Sequence, residues 1–257
     1  MNSIVCFGGG VNSTAMLLGF REKGERPDLV LFADTGGEKP ETYTFVSDVI
    51  GRLMSEWDWP RVEWVHRKQE TLEEECLRTH GLPSIVVGIR SCSDKYKIRP
   101  VDDFLKTWQP AIDAWSHGEK IVKCIGFDAE EPHRIKQFSD ARFTVRYPLV
   151  EWGWGRKECI KKIEEYGLEI PPKSSCFFCP EMKESEIIDL KMKHPELFER
   201  ALRMERNNSS IYSVKGLSRQ FSWKQIADFH DKQMTLPHVG GEMPCTCYDG
   251  APEDKRE

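Results

Sequence analysis

The sequence of 257 residues lacks any long apolar run. No stretch approaches the roughly 20 apolar residues that a membrane-spanning helix needs. The N-terminus lacks a basic stretch followed by a cleavable apolar segment, and we find no internal repeat or low-complexity segment. We therefore expect a cytoplasmic protein that does not contact a membrane. Its length allows one domain of about 200 residues and a smaller appendage.

The sequence also lacks an excess of positive charge. Lysine and arginine total 37 against 42 aspartate and glutamate residues, which gives a formal net charge of −5. A mildly acidic total does not suit broad coating of a nucleic acid, although it is compatible with a local basic groove.

Both standard glycine fingerprints for nucleotide binding, G-x-x-x-x-G-K-[ST] and G-x-G-x-x-G, are absent from the start of the chain. The chain begins instead with a short apolar run at residues 3–7, the turn Gly8-Gly9-Gly10, and an apolar helical pattern from Ser13. Such an arrangement binds phosphate because glycines let the backbone approach the anion and the helix N-terminus faces it. A plain tight turn is the alternative interpretation.

Strand and helix patterns then alternate, which predicts an α/β fold with an open parallel sheet, helices on both faces and a mainly helical C-terminal segment. Ligands of such sheets bind beyond the carboxyl ends of the strands, where the strand order reverses. We divide the chain into an α/β domain, 1–180, and a C-terminal region, 181–257. The predicted strands after the first are residues 28–33, 61–66 and 120–126, with a short extended segment at 147–150. The predicted helices are 40–57, one beginning at 71, 101–115, 156–166, 184–207 with a break near His194, and 221–231, and residues 81–100 are expected to be irregular.

Two motifs together resemble the PP-loop ATP pyrophosphatases. Residues 7–14, FGGGVNST, look like the PP-loop, usually written S-G-G-x-D-S. Residues 31–43, LFADTGGEKPETY, look like the second-strand motif of the phosphoadenylyl sulfate (PAPS) reductase branch. The chain to about residue 180 therefore resembles the PAPS reductase-like family, whose members include enzymes of DNA phosphorothioation and other sulfur-handling proteins.

The resemblance implies a twisted five-stranded parallel sheet that binds ATP and Mg²⁺. In the usual reaction of the family, a substrate oxygen attacks the α-phosphate, pyrophosphate leaves, and a nucleophile then displaces AMP. The implied partners are an adenine nucleotide and either a nucleic-acid substrate or a sulfur donor protein. The sequence leaves the nucleophile and the oligomeric state open.

The resemblance also assigns roles to residues. Asn12, Ser13 and Asp34 are the catalytic candidates, and capping of a helix is the alternative role for the hydroxyls and for Asp34. The basic segment with Lys95, Lys97 and Arg99 is a candidate for neutralising phosphate or, alternatively, a solvated loop. The full predicted nucleotide site comprises Gly8, Gly9, Gly10, Asn12, Ser13, Thr14, Asp34, Thr35, Lys95, Gly126 and Arg134.

Two positions depart from the family pattern. Gly8 stands where the motif has serine, which removes a hydroxyl donor, and Asn12 stands where it has aspartate, which removes a negative charge. Backbone amides can still hold phosphate, but a substrate that is already adenylylated, such as a phosphosulfate, becomes an alternative to ATP.

Nine cysteines are many for a reducing compartment, where disulfides are disfavoured. We expect Cys6 and Cys124 to be core residues of strands, and Cys76 and Cys159 to be structural residues of helices. The remaining cysteines lie in turn-like contexts and are the metal candidates: Cys92, Cys176, Cys179, Cys245 and Cys247.

The Cys176-x-x-Cys179 pair aims two sulfurs at one point, as metal sites do, and a redox pair is the rival interpretation. Resemblance to the iron–sulfur reductases implies a [4Fe–4S] cluster on Cys92, Cys176 and Cys179, with the fourth iron open or held by a tail cysteine. A closed Zn²⁺ site formed by the pair with Cys245 and Cys247 is the alternative, as is a chain without metal.

The favoured function is an enzyme that adenylylates a substrate with ATP, in sulfur transfer or nucleic-acid modification. The first alternative is a reductase of adenylylated sulfate. Family reductases carry a nucleophilic cysteine within Glu-Cys-Gly-Leu-His, which the tail segment Pro-Cys245-Thr-Cys247 does not match. A nucleotide-sensing, zinc-pinned accessory subunit is the alternative without enzymatic activity.

Overall fold

The computed structural model describes residues 2–135, 139–209, 214–218 and 221–235. The strands are β1 Ser3–Phe7, β2 Leu29–Asp34, β3 Val62–His66, β4 Ile121–Ile125 and β5 Phe143–Arg146. The helices up to the last strand are α1 Val11–Glu22, α2 (Pro40–Thr44, π-helical Phe45–Ile50 and Gly51–Glu56 in succession), α3 Leu72–Arg78, α4 (Ser91–Ser93, π-helical Asp94–Ile98 and Arg99–Leu105 in succession) and α5 Gln109–Ser116. The later helices are α6 Pro148–Glu151, α7 Arg156–Glu165, α8 Glu184–Lys193, α9 Pro195–Asn207 and α10 Trp223–Thr235.

The five strands form one parallel sheet in the order β3-β2-β1-β4-β5. Val5 of β1 lies opposite Val30 of β2 on one side and Cys124 of β4 on the other. The strand order therefore reverses between β1 and β4, and the glycine turn after β1 lies at this switch point, where open α/β sheets bind ligands. This confirms the predicted fold class.

Both faces of the sheet are covered, because the central strands are apolar at successive positions. On β2, Val30 and Phe32 pack into a core with α1, α2 and α7, while Leu31 packs on the opposite face against α4 and α5. All three side chains are no more than 1% exposed. The continuous apolar run at 28–33 is therefore confirmed as a strand buried on both faces.

A third apolar cluster joins the sheet domain to the helical C-terminal segment. It includes Phe177, Phe178 and Met182, with side chains from α3 and from α8, α9 and α10. The cluster contains side chains from both sides of residue 180. The division of the chain at that residue stays a prediction. None of the described helices is long and apolar enough to cross a membrane.

Three local predictions were wrong. Residues 147–150 were expected to be extended, but Pro148 begins the short helix α6, since proline suits the first helical position. Residues 81–100 were expected to be irregular, yet α4 begins at Ser91 and its π-helical turn carries the helix past Pro100. The single helix expected at 101–115 is interrupted at Trp108, which has an extended backbone and precedes α5. The predicted break near His194 is confirmed between α8 and α9.

Candidate nucleotide and thiol site

The turn after β1 requires glycine at its centre. Gly9 has a φ of +74°, and an added Cβ would lie 3.2 Å from both Phe32 Cε2 and Thr42 Cγ2. Backbone in this conformation is strained for other residues, and the space beside it is already filled. The turn is thus held closely between β2 and α2.

The N-terminus of α1 follows this turn and is not capped by any described side chain. The first helical bond runs from Thr14 N to Gly10 O at 3.0 Å, so the amides of Val11, Asn12 and Ser13 precede the helical ladder. The hydroxyls of Ser13 and Thr14 donate to Gly10 O at 3.1 and 3.0 Å. These hydroxyls support the turn, and the backbone amides at the start of α1 are the groups that could donate to an anion.

Asn12 links the glycine turn to a polar network that begins beyond β4. Its Nδ2 donates to Asp128 Oδ2 at 2.8 Å and to Glu131 Oε2 at 3.4 Å, while its Oδ1 accepts from Arg156 Nη1 at 3.0 Å. An aspartate at this position would oppose two carboxylates and could not donate to either. Asparagine, the residue that departs from the PP-loop pattern, therefore suits the neighbours of position 12 better than aspartate does.

The loop after β4 approaches the start of α1 very closely. A Cβ on Gly126 would lie 3.1 Å from Ser13 Cα and 3.2 Å from Ser13 N, so a side chain there would cover the helix amide. Asp128 is 3% exposed and also accepts from the amide of Glu130 at 2.9 Å. No role was predicted for Asp128 from the sequence. Its position as a polar residue just beyond a predicted strand was the signal that could have identified it.

Asp34 ends β2 on the same sheet edge as the glycine turn. Its Oδ1 accepts from Gly36 N and from Tyr43 Oη, each at 2.8 Å. Burial raises the pKa of Tyr43, and its hydrogen bond to Asp34 raises it further. Asp34 Oδ2 has no hydrogen-bond partner among the described residues, so one carboxylate oxygen can serve a ligand.

The segment that carries the Cys-x-x-Cys pair lies across the ends of β1 and β2. Ser174 Oγ donates to Gly8 O, and Phe177 N donates to Gly37 O at 2.6 Å. The hydroxyl of Thr35 and the sulfur of Cys176 are 3.0 Å apart in a hydrogen bond. The predicted nucleotide residue Thr35 therefore contacts the predicted metal ligand Cys176, so the two candidate sites adjoin.

A buried carboxylate lies at this junction and was not identified from the sequence. Glu38 is 4% exposed, its Oε2 is 3.4 Å from Ser174 Oγ, and its Oε1 is 3.6 Å from Lys97 Nζ. Burial raises the pKa of Glu38, Lys97 opposes that rise, and Asp34 adds to it. Lys97 is thus paired with a buried carboxylate that also contacts Ser174.

The other predicted basic residues have different neighbours. Lys95 pairs with Glu75 of α3, and the exposed Arg99 contacts Asp94 Oδ2 at 2.8 Å. None of the described contacts of these two side chains is with the glycine turn. Arg134 contacts Glu131 Oε1 at 2.5 Å, and through this carboxylate it joins the network around Asn12.

Burial also changes the pKa of a thiol in the Cys-x-x-Cys pair. It raises the pKa of Cys176 to about 12; Glu38 adds to this rise, whereas Lys97 and the hydrogen bond with Thr35 oppose it. Cys92, Cys176 and Cys179 pack on the apolar cluster that contains Cys76. In the described ranges, no group of three His, Cys, Asp or Glu side chains is arranged to hold a metal ion. Cys245 and Cys247 lie outside the described residues.

Comparison with known proteins decides the family. The sequence matches the phosphoadenosine phosphosulfate reductase domain over residues 2–157. The chain belongs to this family. An uncharacterized protein of Methanocaldococcus jannaschii is 24% identical over 220 residues, which cover 77% of this chain and 40% of that relative. The phosphate complex of phosphoadenylyl-sulfate reductase from Candida auris is similar with a TM-score of 0.42 and 17% identity, over 66% of this chain and 74% of that one.

Membership in the phosphoadenosine phosphosulfate reductase domain family confirms the resemblance inferred from the two motifs. The description of the family points to nucleotide-dependent, sulfur-related chemistry among its members. The chain spans less than half the length of its M. jannaschii relative, and the matched region ends at residue 157, before the cysteine pair. The reaction and the metal centre are therefore matters for proposal.

Proposed function

We propose that the protein binds ATP at the glycine turn and adenylylates a substrate, with release of pyrophosphate, in sulfur transfer or nucleic-acid modification. The observation that carries this proposal is the uncapped N-terminus of α1 at the switch point of the sheet. Asp34 ends β2 and Asp128 follows β4, the two strands that flank β1.

In the proposed reaction, a lone pair on a substrate oxygen forms a bond to the α-phosphorus. The bond between this phosphorus and the bridging oxygen to the β-phosphate breaks, and pyrophosphate leaves with that electron pair. Backbone amides at the start of α1 would stabilise the charge on the phosphates. Gly126 leaves the Ser13 amide uncovered for this purpose.

The acidic border of the turn supports a requirement for Mg²⁺. Asp128 and Glu131 both lie within hydrogen-bond range of Asn12, and they would repel a bare triphosphate. Magnesium bound by phosphate oxygens and one or two carboxylates would remove this repulsion. Asp34 Oδ2, which has no described hydrogen-bond partner, is the further candidate ligand.

We also propose a cysteine-bound iron–sulfur centre on Cys92, Cys176 and Cys179. The three residues pack on one apolar cluster, and Lys97 brings positive charge close to Cys176 and Cys179. Thiolates are the usual ligands of such centres. The centre would hold or deliver sulfur beside the nucleotide, because Cys176 contacts Thr35 at the edge of that site.

The test is pyrophosphate release by anaerobically purified protein given Mg-ATP with candidate nucleic-acid and small-molecule acceptors. The expected result is release that depends on one acceptor and on Mg²⁺, and that falls by about 10²-fold or more in Asp34→Ala. The variant Asp103→Ala, at an exposed aspartate of α4, is the control and should match the wild type. ATP left intact with every acceptor would reject the proposed reaction.

A second candidate is reduction of an adenylylated sulfate, which the description of the matched family favours. The absence of the usual Glu-Cys-Gly-Leu-His sequence near the C-terminus ranks it second. Sulfite release from phosphoadenylyl or adenylyl sulfate with a dithiol reductant would support this reaction. Absence of sulfite with both nucleotides would reject it.

A further inference from the structure

A serine from the segment that carries the Cys-x-x-Cys pair lies beside the glycine turn. Ser174 donates a hydrogen bond from Oγ to the carbonyl oxygen of Gly8, although 166 residues separate the two in the chain. The Cβ of Ser174 also lies 3.7 Å from the position that a Cβ on Gly10 would take. One half-buried side chain from a distant segment therefore lies next to the first and the last glycine of the turn.

Contacts with the loop after β2 hold this serine in place. Two residues after Ser174, the sulfur of Cys176 is 3.0 Å from the hydroxyl oxygen of Thr35. The next amide, Phe177 N, donates to Gly37 O at 2.6 Å. The side chain of Phe177 is 1% exposed within the third apolar cluster, so burial of apolar surface holds this end of the segment. The position of the serine hydroxyl is thus set by contacts outside the glycine turn.

The carbonyl that accepts from Ser174 determines where one amide of the turn points. A trans peptide bond is planar, so the N–H of Gly9 points away from the C=O of Gly8. Because the Gly8 carbonyl faces Ser174, the Gly9 amide is directed away from that serine. Gly9 is buried, and its N–H has no hydrogen-bond partner among the described residues. Buried amides without a partner are rare in native proteins, so this N–H is a donor available to a ligand.

The residue at position 8 explains why the turn needs a contact from another segment. The PP-loop motif has serine at this position, and Gly8 lacks both the hydroxyl and the restriction that a Cβ places on the backbone. Free rotation at residue 8 would let the following peptide turn, and the Gly9 amide would then lose its direction. The hydrogen bond from Ser174 restrains that rotation from outside the motif.

We propose that Ser174 is a positioning residue of the phosphate site, which directs the Gly9 amide toward the phosphates by holding the Gly8 carbonyl. The inference rests on the proposed binding of ATP at the glycine turn, and it adds a residue that lies beyond the matched family region, 2–157. A hydroxyl has one proton to donate, and the Gly8 carbonyl is the closer acceptor, since Glu38 Oε2 lies 3.4 Å away. Ser174 therefore acts on the ligand through the turn.

The test compares Ser174→Ala with Ser175→Ala in the full chain. Ser175 is the matched control, because it is the next residue and its buried Oγ has no hydrogen-bond partner among the described residues. Calorimetry measures the affinity for Mg-ATP and, separately, for inorganic pyrophosphate, which probes the turn without a nucleoside. Ser174→Ala should bind both probes about threefold to tenfold more weakly than the wild type, as expected for one hydrogen bond. Ser175→Ala should bind both like the wild type.

A further variant separates the hydroxyl from a general structural effect. Ser174→Thr retains the hydroxyl and should bind both probes like the wild type, and urea midpoints show whether each variant is folded. Should Ser174→Ala fail to fold, Ser174→Gly provides the same comparison.

Wild-type affinity in a folded variant without the hydroxyl would overturn the inference. An equal loss of affinity in Ser175→Ala or in Ser174→Thr would overturn it too, as would a wild type that binds neither probe. These measurements contain no acceptor. Absence of pyrophosphate release with every acceptor would therefore reject the proposed reaction without changing the binding result.

Discussion

Asn12 donates a hydrogen bond from Nδ2 to Oδ2 of Asp128 over 2.8 Å, although 116 residues separate the two in the chain. Arg156 donates a hydrogen bond to the oxygen of the same side-chain amide. The side chain that departs from the PP-loop motif is therefore the one that joins the glycine turn to the loop after β4. Its amide carries both the donor and the acceptor that this position needs.

The first prediction concerns this amide. Asn12→Asp should lower the free energy of unfolding by about 1–3 kcal/mol at pH 8, because three carboxylates would then meet beside the turn and an ion pair with the exposed Arg156 would offset only part of their repulsion. The carboxyl introduced at position 12 would lie beside two carboxylates, which raises its pKa in the folded state, so the loss of stability should be smaller at pH 5 than at pH 8. Urea unfolding of both proteins at pH 5 and 8 without Mg²⁺ measures it. Equal stability at pH 8 would contradict the prediction.

The second prediction concerns the glycine at the centre of the turn. Gly9→Ala should destabilise the protein by about 3 kcal/mol, because it adds a contact with Phe32 and Thr42 to the cost of a positive φ. Gly24→Ala is the matched control, since Gly24 has a φ of +69° but no atom within 4 Å of an added Cβ. That control should cost about 1 kcal/mol.

Nucleotide binding should separate these two variants as well. ATP affinity measured by calorimetry should fall at least tenfold in Gly9→Ala and remain at the wild-type value in Gly24→Ala. A Gly9→Ala variant that is folded and binds ATP normally would show that the turn does not form the phosphate site.

The third prediction concerns the buried pair of Glu38 and Lys97. Burial raises the pKa of Glu38 above its ordinary value. The contribution of Glu38 to the free energy of unfolding is therefore greatest at pH values below the ordinary pKa, and it declines as the pH rises through the pKa of the folded state. Lys97→Met removes the charge that opposes this rise. The substitution should cost about 1–2 kcal/mol at pH 8, since the lysine is partly exposed, and less at pH 5.

A second substitution isolates this effect. In the Glu38→Gln variant, the additional Lys97→Met change should give the same loss at pH 5 and pH 8, because the titrating carboxyl is absent. Denaturant unfolding of the four proteins at both pH values provides the measurement. A pH-dependent loss that persists in the Glu38→Gln background would assign the titration to another group.

The fourth prediction concerns the hydroxyl that joins the two candidate sites. Thr35→Val keeps the side-chain shape but removes the bond to Cys176 and the acceptor for Gly37 N. It should cost about 1–2 kcal/mol and raise the pKa of Cys176 further, since the hydroxyl opposes the effect of burial. Alkylation of Cys176 in metal-free protein at pH 8, followed by mass spectrometry, should become slower.

Thr35→Ser is the control for this experiment, because it retains the hydroxyl. Its alkylation rate should stay near that of the wild type. Equal rates in the valine and serine variants would mean that the hydroxyl does not influence the thiol.

Much of the sheet could be predicted because its signal is local. The apolar run of β2 and the glycines before α1 lie within short stretches, and periodicity reveals them directly. The short strand β5 was placed a few residues late, since Pro148 looked like part of an extended segment but begins a helix. The helix predicted from residue 101 begins at Ser91 instead, and a π-helical turn leads it through the segment before Pro100.

The sequence by itself determined that the Gly8 turn and Asp34 share one edge of the sheet, because the carboxyl ends of parallel strands always meet there. Only the tertiary structure decided that Asn12 contacts Asp128 and that Cys76 joins the apolar cluster on which Cys176 packs. These contacts depend on how helices and loops distant in the chain pack on one another. No local pattern encodes that packing, because the apolar face of a helix does not specify which segment will cover it.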